Sequence, residues 1–176
     1  MKYLVLVLLS YFLLPGAIHC QDTEKKPVDT FALNTLTFYS SRCKGPCPDI
    51  TLQVDGAKNI QLIRRMFDNR GMTDTISSGS FMGKLSDKQY NKMVELLRKI
   101  NWDTVVFPDN TCCDGTVVSI ILSYNNTSKR FRSMSPPKET YALIDYLHDL
   151  AVNISLPACT KPMDFIRYDL PAPINQ

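Results

Sequence analysis

Two cysteines stand four residues apart in the stretch "SRCKGPCPDI", Ser41 to Ile50, with Gly45, Pro46 and Pro48 around them. Such a pair can ligate zinc, run thiol redox chemistry or close a disulfide. Zinc ligand pairs are usually two to four apart; here Cys112 or Cys113 would supply a third ligand and Cys159 or His148 a fourth. A redox pair needs a stabilised thiolate, commonly Cys-x-x-Cys at a helix N-terminus. This pair has three residues between its cysteines, and the segment after it reads as a strand. Pro48 also biases Cys47 toward extended backbone. The other chemical cluster is Asp145, His148 and Asp149, in which a carboxylate could orient a histidine base. It falls opposite the apolar stripe of its helix, on what reads as a solvated face. No Gly-x-Ser-x-Gly, His-Glu-x-x-His or Gly-rich phosphate loop occurs. The chain therefore offers no catalytic set, no metal site and no cofactor signature. A thiol-dependent or hydrolytic enzyme built on Cys43/Cys47 or on Asp145–His148–Asp149 is the alternative reading.

Two basic clusters remain. Arg64-Arg65 and Lys129-Arg130-x-Arg132 fall on the second strands of two expected hairpins. If both present one sheet face, they form a stripe suited to an anionic glycan or to the acidic surface of a protein. The overall charge is close to balance, 20 Lys and Arg against 17 Asp and Glu, a net +3. That is not the strongly basic footprint of a dedicated nucleic-acid binder.

The N-terminus reads as an export signal. Lys2 supplies the positive end, Leu4 to Leu14 the apolar run, and Pro15-Gly16 its end. The run is too short to cross a bilayer as a helix, and no later segment is longer. Residues 1–20 are thus expected as a signal peptide, and the protein as periplasmic, cell-envelope or secreted. A lipid anchor on Cys20 is the lesser reading, since His19 and Ala17 stand where a lipobox wants a small residue and a leucine.

Outside the cytoplasm disulfides are the default, and losing Cys20 from six cysteines leaves an odd number. Gly45 can take unusual backbone angles while Pro46 and Pro48 pre-set the corners, so Cys43 and Cys47 are expected to bridge. So short a ring contributes only ~2 kcal/mol in the chain-entropy model. A second bridge from Cys113, or its neighbour Cys112, to Cys159 would close a longer loop and tie down a proline-rich tail. Pairing of Cys43 or Cys47 with the 112–113 segment is the competing connectivity.

The elements that must position these residues follow from periodicity. Residues 21–33 read as a flexible leader, 34–155 as one domain and 156–176 as an extended tail. "LNTLTFYS" alternates as a first strand, and Ile50, Leu52 and Val54 alternate before Asp55-Gly56, which is expected to offer the positive φ that a tight hairpin turn needs. Residues 68–85, rich in Gly, Ser and Thr, are expected to be a loop with one short strand. Ser86 and Gln89 predict a capping box for a helix buried through Tyr90, Met93, Val94, Leu97 and Ile100, with Trp102 closing its end. A second hairpin turns at Asn125-Asn126. A second helix is expected to be capped by Ser135, to hold Pro136 and Pro137 in its first turn, and to bury Leu143, Ile144, Leu147, Leu150 and Ala151. The fold class is α+β: an antiparallel sheet built from two hairpin–helix units, with both helices packed on one face.

The order of these features resembles a known family. "CKGPCP" before an alternating strand and a DG turn, then a Ser-initiated helix, "CCDGT" (Cys112 to Thr116), a second hairpin and a last helix after Pro136 is similar to the bacterial exported family called domain of unknown function 6438. Cys43, Gly45, Cys47 and Pro48 match its Cys-x-Gly-x-Cys-Pro signature, over about residues 36–152. Lys44 and Ile50 stand where the family favours aromatics. The resemblance implies the fold and an exported location, and brings no catalytic residue, cofactor or substrate.

The expected function is a non-enzymatic exported domain that binds a protein or envelope component through an exposed sheet face, with no nucleic-acid partner and no transmembrane segment. N-terminal sequencing and intact mass of the mature protein should show a start at or near Gln21 without an acyl chain. A diacylglyceryl mass on Cys20 would replace the secreted form with a membrane-tethered one.

Overall fold

The computed structural model describes residues 31–110, 114–163 and 165. The expected signal peptide, most of the leader, Cys20, Cys112 and Cys113 lie outside the described residues. The elements run β1 (Leu33–Ser40), β2 (Asp49–Asp55), β3 (Asn59–Phe67), β4 (Thr73–Lys84), α1 (Asp87–Arg98), β5 (Val118–Tyr124), β6 (Thr127–Ser133), a 3-10 turn (Lys138–Thr140) and α2 (Tyr141–Asn153). The six strands form one antiparallel sheet in the order β4-β3-β2-β1-β5-β6. This is the expected α+β class. The second helix follows a hairpin as expected, whereas the first follows a run of four strands.

The period of two along each strand sorts the sheet into two unlike faces. Leu36 and Phe38 of β1, Ile50, Leu52 and Val54 of β2, Ile60 and Leu62 of β3, and Val118, Ile120 and Leu122 of β5 are buried in one cluster. Met93 and Leu97 of α1 and Leu143 and Leu147 of α2 complete that cluster, so both helices sit on the same face. Leu96, outside the expected stripe of α1, is buried as well, while Tyr90 and Val94 are only partly covered. The capping box forms as expected: the Gln89 amide donates to Ser86 Oγ at 3.3 Å, and the Ser86 amide donates to Gln89 Oε1 at 3.0 Å. Past α1, Trp102 is buried and donates through Nε1 to the Leu97 carbonyl at 2.9 Å. Its ring meets Phe131, which also meets Phe107, and the three aromatics close the β6 end of the core.

Three local expectations are corrected. The β2–β3 turn lies where Asp55-Gly56 placed it, but the residue at positive φ is Lys58 (70°), not Gly56. Asp55 Oδ1 organises the turn by accepting from the Ala57 and Asn59 amides. Gly56 is needed for space instead, because a Cβ there would collide with the Leu33 carbonyl oxygen. The β5–β6 turn does use Asn125 and Asn126, both at positive φ (45° and 62°), as a two-residue hairpin turn requires.

The second correction concerns residues 68–85, where the twelve-residue strand β4 stands in place of most of the expected loop. Its Gly and Ser content answers to neighbours. Gly79 lies opposite Arg64 at φ 151°, and at Gly83 a Cβ would come within 2.7 Å of Leu156 Cδ2 in the tail. Third, Ser135 does not cap α2. Ser135 and Pro136 each precede a proline and are steered to extended backbone. The chain turns only after Pro137 (ψ 147°), and Thr140 leads into the helix without a side-chain cap. Residues 157–159 of the tail are tied to the outer edge of β4. Phe81 bridges Ala158, the Met82 amide donates to the Pro157 carbonyl, and the Cys159 amide to the Ser80 carbonyl at 2.8 Å.

Arg64 joins sheet to helix. On the core side of β3, it donates from Nη1 to the carbonyls of Ala151 (2.7 Å) and Val152 (2.8 Å) at the end of α2, and from Nε to Ser77 (2.9 Å). Its guanidinium lies 4.7 Å from the Phe81 ring centroid. The last turn of α2 has no basic residue of its own, so Arg64 supplies the cation that the negative end of the helix dipole favours. Burial lowers its pKa from the usual arginine value, which marks partial desolvation. Replacing Arg64 by Ala should cost about 2–3 kcal/mol in denaturant unfolding, because several carbonyls lose a charged donor. Arg65→Ala, which breaks one exposed pair, should cost at most about 1 kcal/mol. Equal effects of the two substitutions would contradict this role for Arg64.

Candidate functional site: the open sheet face

The loop between β1 and β2 holds the first predicted chemical pair. Cys43 and Cys47 are joined by a disulfide, with Cα atoms 5.5 Å apart. The loop is held by its surroundings as well as by the bridge. The Ser41 amide donates to the Val117 carbonyl (2.9 Å), the Val117 amide donates to Ser41 Oγ (2.8 Å), and the Lys44 amide donates to the Asp114 carbonyl (3.2 Å). The staple thus sets how the chain leaves β1 beside the entry to β5, with strand β2 and no helix after it.

The expected second bridge has one end, Cys113, outside the described residues. At the other end Cys159 is a free, half-buried thiol with Sγ 3.3 Å from Met82 Sδ. Asp114 adjoins the Cys43 loop at the end of β1, whereas Cys159 lies along β4, an edge strand three places from β1. His148 is half-buried on α2 between exposed Asp145 and Asp149, and it lines neither the groove beside Tyr90 nor the small hollow beside Arg132 and Ser133. Of these two concavities the groove is much the larger, at about 630 Å³, and it is bounded by Phe31, Leu33, Tyr90, Val94 and Arg98. Among the described residues no group of three or more His, Cys, Asp or Glu is placed to hold a metal ion.

The basic stripe is split by strand alternation. Arg64 lies on the core side opposite Ile50, and Lys129 lies on that side opposite Leu122, paired with Asp103. Both therefore leave the expected partner-binding set. The hydrogen bond from Lys129 to Asp103 raises the lysine pKa, a local pair at the core rim. Arg65, Arg130 and Arg132 do share the other face, which neither helix covers.

Register arranges that face in rows. Arg132 of β6 lies opposite Ser119 of β5, which lies opposite Tyr39 of β1. Opposed side chains on an antiparallel pair have Cβ atoms ~5 Å apart, close enough to act together. Asp49 of β2 pairs with Arg65 of β3 near the same end of the sheet. The next row runs Arg130, Ile121, Thr37, Gln53 and Gln61, with Thr37 Oγ1 donating to Gln53 Oε1 at 3.1 Å.

Two buried oxygens on this face, Ser119 Oγ and Gln61 Oε1, have no hydrogen-bond partner among the described residues. Burial raises the Tyr39 pKa, and the Asp49 carboxylate adds to the rise, while Arg65 and Arg132 pull the other way. The hydroxyl therefore keeps its proton at neutral pH and can donate. Tyr39 and Ser119 are functional candidates that the sequence reading passed over. The legible signal was the aromatic among Thr35, Thr37 and Tyr39 in the polar phase of β1. Ser119, inside the apolar run of β5, had none.

A six-stranded antiparallel sheet with two helices on one face, a stapled β1–β2 loop and a polar, arginine-bearing open face is thus the type of protein in hand. The chain belongs to the family described as Domain of unknown function (DUF6438), which matches residues 34–151. Neither the curated proteins nor the solved structures contain a match to it.

Non-reducing peptide mapping should return Cys43 and Cys47 in one linked peptide, and a thiol reagent should label Cys159 without prior reduction. Free thiols at positions 43 and 47 would remove the staple, and a Cys159-containing linked peptide would restore the long bridge.

Proposed function

We propose that this protein is an exported, non-enzymatic binding domain that engages a protein or envelope component through the open face of its sheet. The observation that carries the reading is the split between faces. The apolar positions of β1, β2, β3 and β5 and the stripes of both helices meet on one side. The other side presents Arg65, Arg130 and Arg132, with Tyr39 in the row of Arg132. A sheet face that no helix covers, with cations and hydrogen-bonding groups in register, is suited to recognition rather than to holding a small molecule in a cleft. The N-terminal signal pattern and the disulfide of Cys43 and Cys47 support a location outside the cytoplasm. No helix among the described residues is long and apolar enough to cross a membrane, in keeping with a partner met at a surface.

The test is affinity recovery from envelope extracts with the wild type and an Arg65→Gln, Arg130→Gln, Arg132→Gln variant. Arg64 stays intact because it holds α2. Partners recovered by the wild type should be lost or strongly depleted with the variant, and their retention should fall with added salt. Equal recovery of every partner would end the open-face reading.

A further inference from the structure

We propose that Arg132, Ser119 and Tyr39 form a notch for a single carboxylate that enters from above the sheet, and that the carboxylate is an acidic side chain on the surface of a protein lying flat over the open face. The inference deepens the open-face reading and rests on it.

Register puts a short side chain between two long ones. Ser119 of β5 lies opposite Arg132 of β6 on one side and Tyr39 of β1 on the other, on the face that neither helix covers. Arg132 and Tyr39 are thus two strand spacings apart, ~10 Å, with the serine as the floor between them. A ligand oxygen held over that floor is one spacing, ~5 Å, from each flank, a gap that an arginine side chain and a tyrosine ring both close by leaning inward.

The floor has an unmade bond. Ser119 is 6% exposed, and its Oγ has no hydrogen-bond partner among the described residues. A buried hydroxyl in that state destabilises the free chain, and an acceptor oxygen that takes its hydrogen bond removes the penalty. Arg132 is exposed and makes no ion pair among the described residues. It is therefore the wall that swings aside to admit that oxygen and then closes on it with planar, forked donors. The Tyr39 hydroxyl, which keeps its proton at neutral pH, supplies the remaining donor.

Charge selects the ligand and its carrier. Of the three arginines on this face, Arg65 is paired with Asp49 and Arg130 is already engaged, which leaves Arg132. One uncommitted cation suits one carboxylate. A phosphate dianion would bring a second charge with no cation to meet it, and Asp49, close enough to raise the Tyr39 pKa, would repel it. A uronate polymer repeats its charge along its length and meets only this one free cation. A protein surface can instead set one acidic side chain among neutral groups, and the next row of the face, with Thr37, Gln53 and Gln61, is neutral and polar to match.

The test is a titration of the isotope-labelled mature chain, followed by amide resonances. The probes are N-acetyl-glutamate methylamide, whose side chain is its one charge, its glutamine counterpart, inorganic phosphate and trigalacturonate. The glutamate probe should move the signals of Tyr39, Ser119 and Arg132 saturably. Arg132→Gln, an exposed substitution, should weaken that binding about tenfold, the loss of one charge-assisted contact. Ser119→Ala should weaken it by a smaller factor, while the free variant unfolds at the same or a higher denaturant concentration than the wild type, because an unpartnered hydroxyl has been removed. The proposal is overturned by absence of saturable shifts, by equal binding of the glutamine probe, or by an Arg132→Gln affinity equal to wild type. A lowered unfolding midpoint for Ser119→Ala, or tighter binding of phosphate or trigalacturonate, overturns it as well. Failure here with extract partners still lost in the triple arginine variant refutes this notch alone. Binding of the glutamate probe with undiminished extract recovery refutes the broader reading and leaves the notch standing.

Discussion

A sheet has two faces and this chain carries apolar side chains in quantity for only one, and that constraint organises the molecule. β1 lies between β2 and β5, so the first strand of the domain joins its N-terminal four strands to its C-terminal hairpin. Every large apolar residue that β1 turns toward the helices is fully buried, Leu36 and Phe38 among them. With both helices committed to that side, the opposite side must be stable in contact with polar surroundings. It does so with Thr, Ser, Gln and Arg rows whose side chains bond laterally, as Thr37 does to Gln53. The same requirement makes it available for recognition.

The attachment of α2 shows how the helix layer is fixed to the sheet. Helices stacked on a sheet by apolar contact alone can slide, because burial is non-directional. Arg64 adds direction: from one strand it reaches the closing carbonyls of α2. Tyr146 adds a second tie, its hydroxyl donating to the Gln89 carbonyl of α1 at 2.7 Å. These two polar anchors orient α2 against both the sheet and its partner helix.

How far the chain could be read in advance depends on whether the deciding interactions were local. β1, the positions of both hairpin turns and the Ser86–Gln89 cap were legible, since alternation, turn residues and capping act over a few residues. β4 was not, because its Gly83 answers to Leu156 and its Ser78 to the Met66 amide of β3, both distant in sequence. The start of α2 was misread although its cause is local, the consecutive prolines outweighing the serine before them. For the candidate site, alternation was enough to mark two basic strands but was not applied within each cluster. Arg64 and Arg65 are adjacent and must point to opposite faces, as must Lys129 and Arg130. The importance of Tyr39 and Ser119 arises only from the pairing of β1 with β5, which no short-range pattern discloses.

The tail that runs along β4 also bears on how that edge of the sheet is guarded. A long edge strand exposes a row of unpaired amides and carbonyls and invites pairing with another molecule. Pro157 to Cys159 occupy part of that row on β4, and Pro157 has no amide with which to extend the sheet further. The two sheet edges are thus unlike: part of β4 is covered by the chain's own C-terminal segment, while the outer side of β6 has no main-chain partner among the described residues and carries Lys129, Arg130 and Arg132. A proteolytic cut after Ile154 would remove the first safeguard and leave the second, turning a self-limited sheet into one that can grow from a single side.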